Sequence, residues 1–226
     1  MIDRKTNKYV PSIQGKLRGR TILVPEATYR ASGIQINGRR IKSLIFTTDV
    51  AIIPNNNAQG IIAVYPFTPQ LSIIRAVLEV SPVPVFVGIG GGLTSGLRSL
   101  NIGMQAELYG AYGVVVNAPM TVENVKLISE NLDIPLVSTV VKRDNDYLAK
   151  IEAGAKILNV SGGKDTANLV REIRKEIGPE FPIIATGGDS EEDILRTIDA
   201  GANCITYTPP STGEIFEGVM KKYRAE

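Results

Sequence analysis

The stretch PIIATGGDSEEDILRTIDAGANCITYTPPS, residues 182–211, decides the fold of this chain. Two short apolar runs, 182–185 and 204–208, flank a helix-like segment that begins with acidic and hydroxyl residues and ends at Ala-Gly-Ala. The first run shows no alternation of apolar and polar residues, which is typical of a parallel strand buried on both faces. Gly187 and Gly188 permit a tight turn after it. The stretch therefore predicts a βαβ unit whose polar residues follow its strands, where α/β proteins place their sites.

The same unit is repeated along most of the chain. Eight β-rich runs are found at residues 43–47, 60–65, 84–89, 113–117, 135–140, 156–160, 182–186 and 204–208. Helices are expected at residues 68–80, 94–110, 121–131, 145–153, 165–177, 190–200 and 213–223. Eight such units predict an α/β protein of the (β/α)8 class, a TIM barrel. An open doubly wound sheet is the alternative, because the first link, residues 50–59, is too short for a full helix. The lack of a GxGxxG motif after the first strand disfavours it.

Residues 1–42 stand outside the repeat and hold ten basic residues against two acidic ones. We predict that this segment is an extension that covers one end of the barrel or contacts another subunit, and that residues 43–226 form the barrel. Within the extension, residues 21–24 predict a strand. Residues 34–40 predict a hairpin with Asn37-Gly38 as its turn.

The composition excludes several classes of function. The formal net charge is +2, from 25 basic and 23 acidic residues, so no strong field favours nucleic acid or a membrane surface. The single cysteine, Cys204, excludes an internal disulfide, and the lack of histidine excludes His-based catalysis and histidine-rich metal sites. No signal peptide or membrane-length apolar run is present. We expect a cytoplasmic protein with no cofactor, metal or membrane partner. Barrels of this size commonly pair, so we also expect a homo-oligomer.

In a TIM barrel the residues that follow the strands gather at the C-terminal mouth. The sequence therefore predicts a substrate pocket formed by Thr47, Tyr65, Gly90, Asn117, Asn159, Thr186 and Asp189. Asp189 has an alternative role as the N-cap of the helix that follows it. The glycine-rich sequence at residues 88–92 predicts either a flat floor beside the ligand or a loop with unusual dihedral angles.

Short glycine loops after the late strands favour an anion, because their amide groups and the helix N-termini can approach it closely. Many barrels hold a phosphate after strands seven and eight. The predicted phosphate-binding residues are Gly162, Gly163, Gly187, Gly188, Thr208 and Ser211. Alternatively, the Gly-Gly pair only makes a turn and Pro-Pro only begins the last helix. Residues 161–166 lack the GxxxxGK[ST] spacing, so they do not predict a nucleotide P-loop.

Three charged residues near the predicted mouth are candidates for acid, base or electrostatic roles. Asp49 could act as a general base if burial raised its pKa, or it could cap the first link. Lys142 could form a Schiff base if it pointed inward, although its neighbour Arg143 also fits an exposed ion-paired turn. Lys164 could reach an anion or be solvated. No pair of carboxylates has the spacing of a metal or glycosidase site.

Residues 156–211, with PIIATGG, an acidic helix and Ala-Gly-Ala, resemble the phosphate-binding (β/α)8 superfamily, which includes thiamine-phosphate synthase, sugar-phosphate epimerases and keto-deoxy-phosphogluconate aldolase. The resemblance implies a phosphate grip at Gly187, Gly188 and residues 208–211, with residues 162–163 as its third wall. Its aldolases carry a Schiff-base lysine in strand six. Here the corresponding interior positions are expected to be Leu158 and Val160, which disfavours aldol chemistry.

Residues 72–208 are also similar to the glycerol-uptake operon antiterminator regulators. Two functions therefore stay open. The first is an enzyme that acts on a small phosphorylated metabolite as an isomerase, lyase, synthase or hydrolase. The second is a non-catalytic sensor of a phosphorylated ligand, which contacts RNA or protein, for example through residues 1–42. RNA is a partner only under the second hypothesis.

Overall fold

The computed structural model describes residues 2–3, 8–9, 11–13, 15–17, 19–143, 146–188 and 190–225. The barrel strands are β1 (Ser43–Phe46), β2 (Gly60–Ala63), β3 (Val85–Gly90), β4 (Gly113–Val116), β5 (Leu136–Val140), β6 (Ile157–Val160), β7 (Ile183–Thr186) and β8 (Cys204–Tyr207). The α-helices are α1 (Leu71–Val80), α2 (Gly96–Leu108), α3 (Val122–Ser129), α4 (Tyr147–Glu152), α5 (Thr166–Ile177), α6 (Glu191–Asp199) and α7 (Thr212–Ala225). Each of the eight predicted barrel strands and seven predicted helices is found.

The eight strands are parallel and close into a barrel in the order β6-β7-β8-β1-β2-β3-β4-β5, with β5 paired to β6. Closure is made at the seam between the last strand and the first, where Thr206 lies opposite Leu44. This pairing confirms the TIM barrel and excludes the open doubly wound sheet. The link between β1 and β2 consists of turns, as its length predicted.

Each strand contributes one residue to a layer of buried apolar side chains inside the barrel. These residues are Leu44, Ile62, Phe86, Val115, Val137, Ile157, Ile184 and Cys204. Their neighbours in sequence face the other way and pack against the helices. The strands are thus apolar on both faces, which explains why their sequences do not alternate.

One assignment made from the sequence is wrong. Leu158 and Val160 were expected inside the barrel, but they pack with side chains of α5, such as Val170. The interior positions of β6 are Ile157 and Asn159, since Ile157 belongs to the inner layer and side chains alternate along a strand. A strand buried on both faces gives no polar pattern that tells its two sides apart.

A hairpin closes the N-terminal end of the barrel. Its strands, Ile34–Ile36 and Arg39–Ile41, pair antiparallel through the predicted Asn37-Gly38 turn. Both turn residues have positive φ, 47° and 79°, as a two-residue turn of type I′ requires. Ile34 and Ile41 are buried against the inner layer, so this part of the predicted extension forms the floor of the barrel.

The segment just before this hairpin covers the outer wall at the seam. It contains a short 3-10 helix, Glu26–Arg30. Ala27 and Ala31 are buried in the same cluster as Ile205 of β8, and Val24 is buried in the same cluster as Ile45 of β1. Residues 24–31 thus occupy the place where an eighth helix would pack. Only Ile22 of the strand predicted at residues 21–24 forms a bridge, with Asn56.

Near the two ends of the chain, the described residues of the segment 11–20 and of α7 contribute little to the core. Residues Ile2–Asp3 and Lys8–Tyr9 form a small antiparallel pair, and the described residues from 11 to 20 are exposed. None of the described residues of α7 is buried. An oligomer contact by the N-terminal segment stays a prediction. Among the described residues, no helix combines the length and apolar character needed to cross a membrane.

If the hairpin is the floor of the barrel, truncating Ile41 should open a cavity under the inner layer. We expect Ile41→Ala to lower the free energy of unfolding by about 2–5 kcal/mol. Urea unfolding measures the change. The matched control is Arg39→Ala, because Arg39 is exposed in the same strand. Equal effects of the two substitutions would contradict the assignment of this hairpin as floor.

Candidate functional site

The C-terminal mouth contains a cavity with two adjoining lobes. The larger lobe, of about 700 Å³, lies among the loops after β1, β2 and β8. The smaller lobe, of about 370 Å³, lies between the loops after β2 and β3. Both are lined by Val64, Tyr65, Pro66 and Asn117. Active sites of TIM barrels lie at this end, so this cavity is the candidate site.

Several residues singled out from the sequence line this cavity. Those in the larger lobe are Thr47, Asp49, Tyr65, Asn117, Thr208 and Ser211. Gly90 lines the smaller lobe. Their roles in binding or catalysis stay predictions. Asp189 lies outside the described residues.

Asp49 holds the turn after β1 and the start of α7. Its carboxylate accepts hydrogen bonds from the amides of Ala51 at 2.8 Å and Ile52 at 3.3 Å, and from the hydroxyl of Thr212. The Thr212 hydrogen bond is the main cause that lowers the pKa of Asp49, and it outweighs the opposing effect of burial. Asp49 is therefore ionised at neutral pH. These contacts fit the predicted cap, while a pKa raised by burial is not found.

A second carboxylate, Glu214, lines the same lobe. Its Oε2 accepts hydrogen bonds from the Ser211 amide at 2.8 Å and the Ser211 hydroxyl at 2.7 Å. The Glu214 amide donates to the Ser211 hydroxyl oxygen at 3.2 Å, which completes a capping box at the start of α7. These bonds lower the pKa of Glu214. Sequence reasoning missed Glu214, although Ser-Thr-Gly-Glu at residues 211–214 carries the capping-box signature.

The larger lobe therefore has a negative rim. Asp49 and Glu214 are both ionised, and no described lysine or arginine lines either lobe. Apolar side chains such as Phe46, Ile52 and Val64 form much of the remaining surface. Such a lining suits hydroxyl groups, amines and apolar carbon atoms better than a bare anion.

The two glycine loops predicted to bind phosphate follow β6 and β7, which are neighbours in the barrel. Thr186 donates to Ser161 at 3.1 Å and connects the loops. Two of the four glycine amides already have acceptors within the protein. The Gly162 amide donates to Thr166 Oγ1 at 3.0 Å and the Gly187 amide to the Thr206 carbonyl at 3.1 Å.

The other two glycines have positive φ, 61° at Gly163 and 84° at Gly188. No acceptor for their amides is found among the described residues. A Cβ at Gly163 would meet no atom within 4 Å, whereas a Cβ at Gly188 would lie 2.6 Å from that of Asp193. An anion over these loops would be bound by Gly163, Gly188 and the start of α5.

A polar layer lies below these loops. The inward-facing residues near the ends of β5 to β8 are Thr139, Asn159, Thr186 and Thr206. Asn159 Nδ2 donates to Thr139 Oγ1 at 3.4 Å. The Thr206 hydroxyl is buried, and it has no partner among the described residues. The β5–β8 side of the mouth is thus polar, while the larger lobe opens on the β1–β2 side.

The three predicted catalytic residues are not brought together. Asp49 follows β1, whereas Lys142 follows β5, four strands away around the barrel. Lys142 is exposed, and its neighbour Arg143 pairs with Glu172 of α5 at 3.4 Å. Lys164 is exposed in the short 3-10 helix Gly163–Asp165. Neither lysine lines the cavity.

The glycine run after β3 has a structural cause. Gly90 and Gly91 have φ values of 146° and 130°. A Cβ on Gly91 would lie 2.6 Å from Asn117 Cβ and 2.9 Å from the Asn117 amide nitrogen. The sequence offered two explanations for this run, and the structure shows one of them, a loop with unusual dihedral angles. It also lines the smaller lobe, so the two explanations do not exclude each other.

Lys150 of α4 was missed by sequence reasoning. Its side chain is only 4% exposed, and its Nζ donates to the Ala118 carbonyl at 2.7 Å. Burial lowers the pKa of Lys150, and Asp146 partly offsets this effect. Ala118 follows Asn117, so Lys150 braces a loop of the mouth. Lysine is almost never fully buried, so the sequence offers no signal for the burial of Lys150.

Comparison with known proteins supports the fold. No protein-family model matches the chain, and neither does any curated protein. A protein described as a phosphonomutase from Burkholderia cenocepacia J2315 is 12% identical, with a TM-score of 0.59 over 81% of this chain and 90% of that one. A phosphonopyruvate hydrolase with oxalate and Mg²⁺ is 13% identical, with a TM-score of 0.57 over 82% and 93%. A mandelate oxidase is 16% identical, with a TM-score of 0.62 over 79% and 68%.

At these identities the similarity establishes a shared TIM-barrel fold only. The similar structures are TIM barrels, as the resemblance to a (β/α)8 superfamily implied. The resemblance to antiterminator regulators finds no support among these matches and stays a prediction.

The close contact at Gly91 can be tested against the neighbouring glycine. Gly92 also has positive φ, but a Cβ there meets nothing within 4 Å. We expect Gly92→Ala to cost about 1 kcal/mol of stability through backbone strain alone. Gly91→Ala should cost about 1–3 kcal/mol more, because it also forces the Asn117 loop to move. Equal losses in urea unfolding would contradict this contact.

The Thr212 hydrogen bond makes a testable contribution to the pKa of Asp49. Thr212→Val should raise that pKa toward the ordinary value of about 3.9, whereas Thr212→Ser keeps the hydroxyl and should leave it low. A carboxyl pKa that is lowered in the native state stabilises the fold above the unfolded-state pKa. This stabilisation is lost as the pH falls through the native pKa. NMR titration of the Asp49 carboxyl carbon measures the pKa in each variant. An unchanged pKa in the valine variant would refute the role of the Thr212 hydrogen bond.

Proposed function

We propose that the protein is an enzyme that acts on a small phosphorylated metabolite at the C-terminal mouth. The phosphate binds over the glycine loops after β6 and β7, and the organic part of the substrate extends into the larger lobe. The observation that carries this proposal is the arrangement of the mouth. The Gly163 and Gly188 amides, which have no acceptor among the described residues, lie in loops at the same end of the barrel as a cavity whose rim is negative and partly apolar. These glycines do not line the cavity itself.

The division of the mouth supports this orientation of the ligand. A phosphate dianion would be repelled by Asp49 and Glu214 in the larger lobe. On the other side, the Gly163 and Gly188 amides and the N-terminus of α5 offer hydrogen-bond donors and a positive dipole end. Lys164, in the same loop, adds an exposed cation. Thr208 lies between the two regions, after β8, and can contact either part of the ligand.

The lobe residues limit the chemistry. Asp49 is a weak base because its pKa is lowered, so efficient proton abstraction at neutral pH requires an acidic substrate proton. Its charge and that of Glu214 can instead stabilise a developing cation or orient substrate hydroxyl groups. These properties fit an isomerase, lyase, synthase or hydrolase, and the reaction stays unassigned. Two of the similar structures are named as a phosphonomutase and a phosphonopyruvate hydrolase. These names agree with the proposal of a phosphorus-containing ligand.

A non-catalytic sensor is the second candidate. It is favoured by the observation that both carboxylates of the lobe already hold structural hydrogen bonds. Under this hypothesis the ligand alters a contact with RNA or protein, for example through the exposed Arg20, Arg39 and Arg40 of the N-terminal segment. Binding without turnover would favour the sensor over the enzyme.

The phosphate subsite can be tested with two matched glycine substitutions. Gly163 and Gly178 have similar φ, 61° and 75°, and a Cβ at either position meets no atom within 4 Å. Neither substitution to alanine therefore meets a steric clash. Both add backbone strain, which should be larger at Gly178 because its ψ of −176° lies in a region that almost only glycine occupies. Only Gly163→Ala places a methyl group where the phosphate is proposed to bind. We expect it to weaken binding about tenfold or more, which corresponds to about 1.4 kcal/mol.

The measurement is a thermal-shift titration with inorganic phosphate, sugar phosphates, glycerol phosphates and phosphonates, together with a product assay. Stabilisation by a phosphorylated compound that Gly163→Ala abolishes and Gly178→Ala preserves would support the subsite. Product formation would then identify an enzyme. If no compound of the panel stabilises the protein, or if both variants bind equally well, the phosphate proposal is wrong.

A further inference from the structure

The last helix has an apolar face that the rest of the chain covers only in part. Ile215, Phe216, Val219, Met220 and Tyr223 follow the i, i+4 and i+7 spacing of one helix face. Phe216 and Tyr223 are 62% and 61% exposed, and Ile215 is 37% exposed. Val219 and Met220 are only half-buried. We call these five residues the α7 face.

The α7 face has no place on its own barrel wall. The wall at the seam between β8 and β1 is already covered by residues 24–31, where Ala27 and Ala31 pack beside Ile205. Thr28 is fully buried there, and its hydroxyl donates to the Pro25 carbonyl at 2.8 Å. Moving α7 onto this wall would require this buried segment to leave.

The helix also needs a partner for its own stability. It has 14 residues, and isolated helices of fewer than about 12–15 residues are marginal in water. Gly213 and Gly218 lie within it, and each glycine lowers helix stability by about 0.8–1.0 kcal/mol relative to alanine. The capping box and the Glu217–Lys221 pair at 2.7 Å compensate only in part, since exposed pairs contribute little.

We propose that α7 pairs antiparallel with α7 of a second copy of this chain around a two-fold axis. Met220 meets Met220 of the second copy at the axis, and Phe216 packs against Tyr223 of the second copy. A two-fold interface uses the same surface on both copies, and antiparallel helices pack through faces of this kind. The interface is separate from the phosphate subsite and does not depend on the proposed function.

The charges of α7 favour a second copy in this orientation. The first half of the helix carries Glu214 and Glu217, and the second half carries Lys221, Lys222 and Arg224. Antiparallel pairing places the acidic half beside the basic half of the other copy, whereas parallel pairing places like charges together. At the flank of the α7 face, Glu217 lies opposite Arg224 of the second copy. A membrane surface would instead favour a uniformly basic polar face.

The pairing would also act on the mouth. At the start of α7, the Thr212 hydroxyl donates to Asp49 and the Ser211 hydroxyl donates to Glu214. Asp49, Ser211 and Glu214 line the larger lobe. A second copy that fixes α7 therefore fixes one wall of the candidate site. A single helix pair of about four turns is a small interface, so we expect micromolar affinity.

Cysteine crosslinking tests the register directly. The chain has one native cysteine, Cys204, which is buried, so an engineered cysteine gives the only accessible thiol. Under mild oxidation, Met220→Cys should form covalent dimers on a non-reducing gel. Lys221→Cys, on the outer side of the helix, is the matched control and should crosslink at least tenfold more slowly. Equal rates, or no dimer with Met220→Cys, would overturn the pairing.

Sedimentation velocity tests the charge complementarity. Glu217→Arg and Arg224→Glu should each raise the dimer dissociation constant about tenfold or more, because two symmetric pairs become repulsive. The double variant should restore dimerisation. Met220→Lys should give a monomer whose barrel unfolds at the same urea concentration as the parent barrel. A parent protein that is monomeric at ~200 μM, well above a micromolar dissociation constant, would overturn the proposal. So would a dimer that none of these substitutions weakens.

Discussion

The pairing of β8 with β1 is the interaction on which the rest of the structure depends. It joins Thr206 to Leu44 and Tyr207 to Ile45, strands that lie about 160 residues apart in the chain, and it turns a curved sheet into a barrel. Closure removes both sheet edges and gathers all eight strand ends around one mouth. A seam of this kind needs a cover on its outer wall, because the outward side chains Ile45 and Ile205 are apolar.

The cover of the seam explains the unusual positions of both chain ends. Residues 24–31 provide small buried side chains, Ala27 and Ala31, which let the short 3-10 helix lie close to the strands. The final helix is displaced from the wall and begins instead at the rim of the mouth. Its first turn then supplies Ser211 and Glu214 to the cavity. The choice of which segment covers the seam therefore shapes the candidate site as well as the outer surface.

The mouth shows how local structure and binding compete for the same groups. Asp49, Glu214 and the Gly162 and Gly187 amides all have partners within the protein. These contacts hold the loops in place, and they reduce the number of groups that can contact a ligand. Among the residues predicted to bind phosphate, Gly163, Gly188 and Thr208 are those for which the described structure leaves room for such a contact.

The sequence by itself determined the class of fold, the number of βα units and the hairpin turn at Asn37-Gly38, because periodicity and turn chemistry are local properties. It also placed Asp49, Asn117 and Ser211 after strands, and hence at the mouth. Only the tertiary structure decided which face of β6 is interior, that Lys150 is buried, and that residues 24–31 replace the last helix at the seam. Each of these depends on contacts between distant segments, and a strand or helix that is apolar on more than one side does not specify its partner in its own sequence.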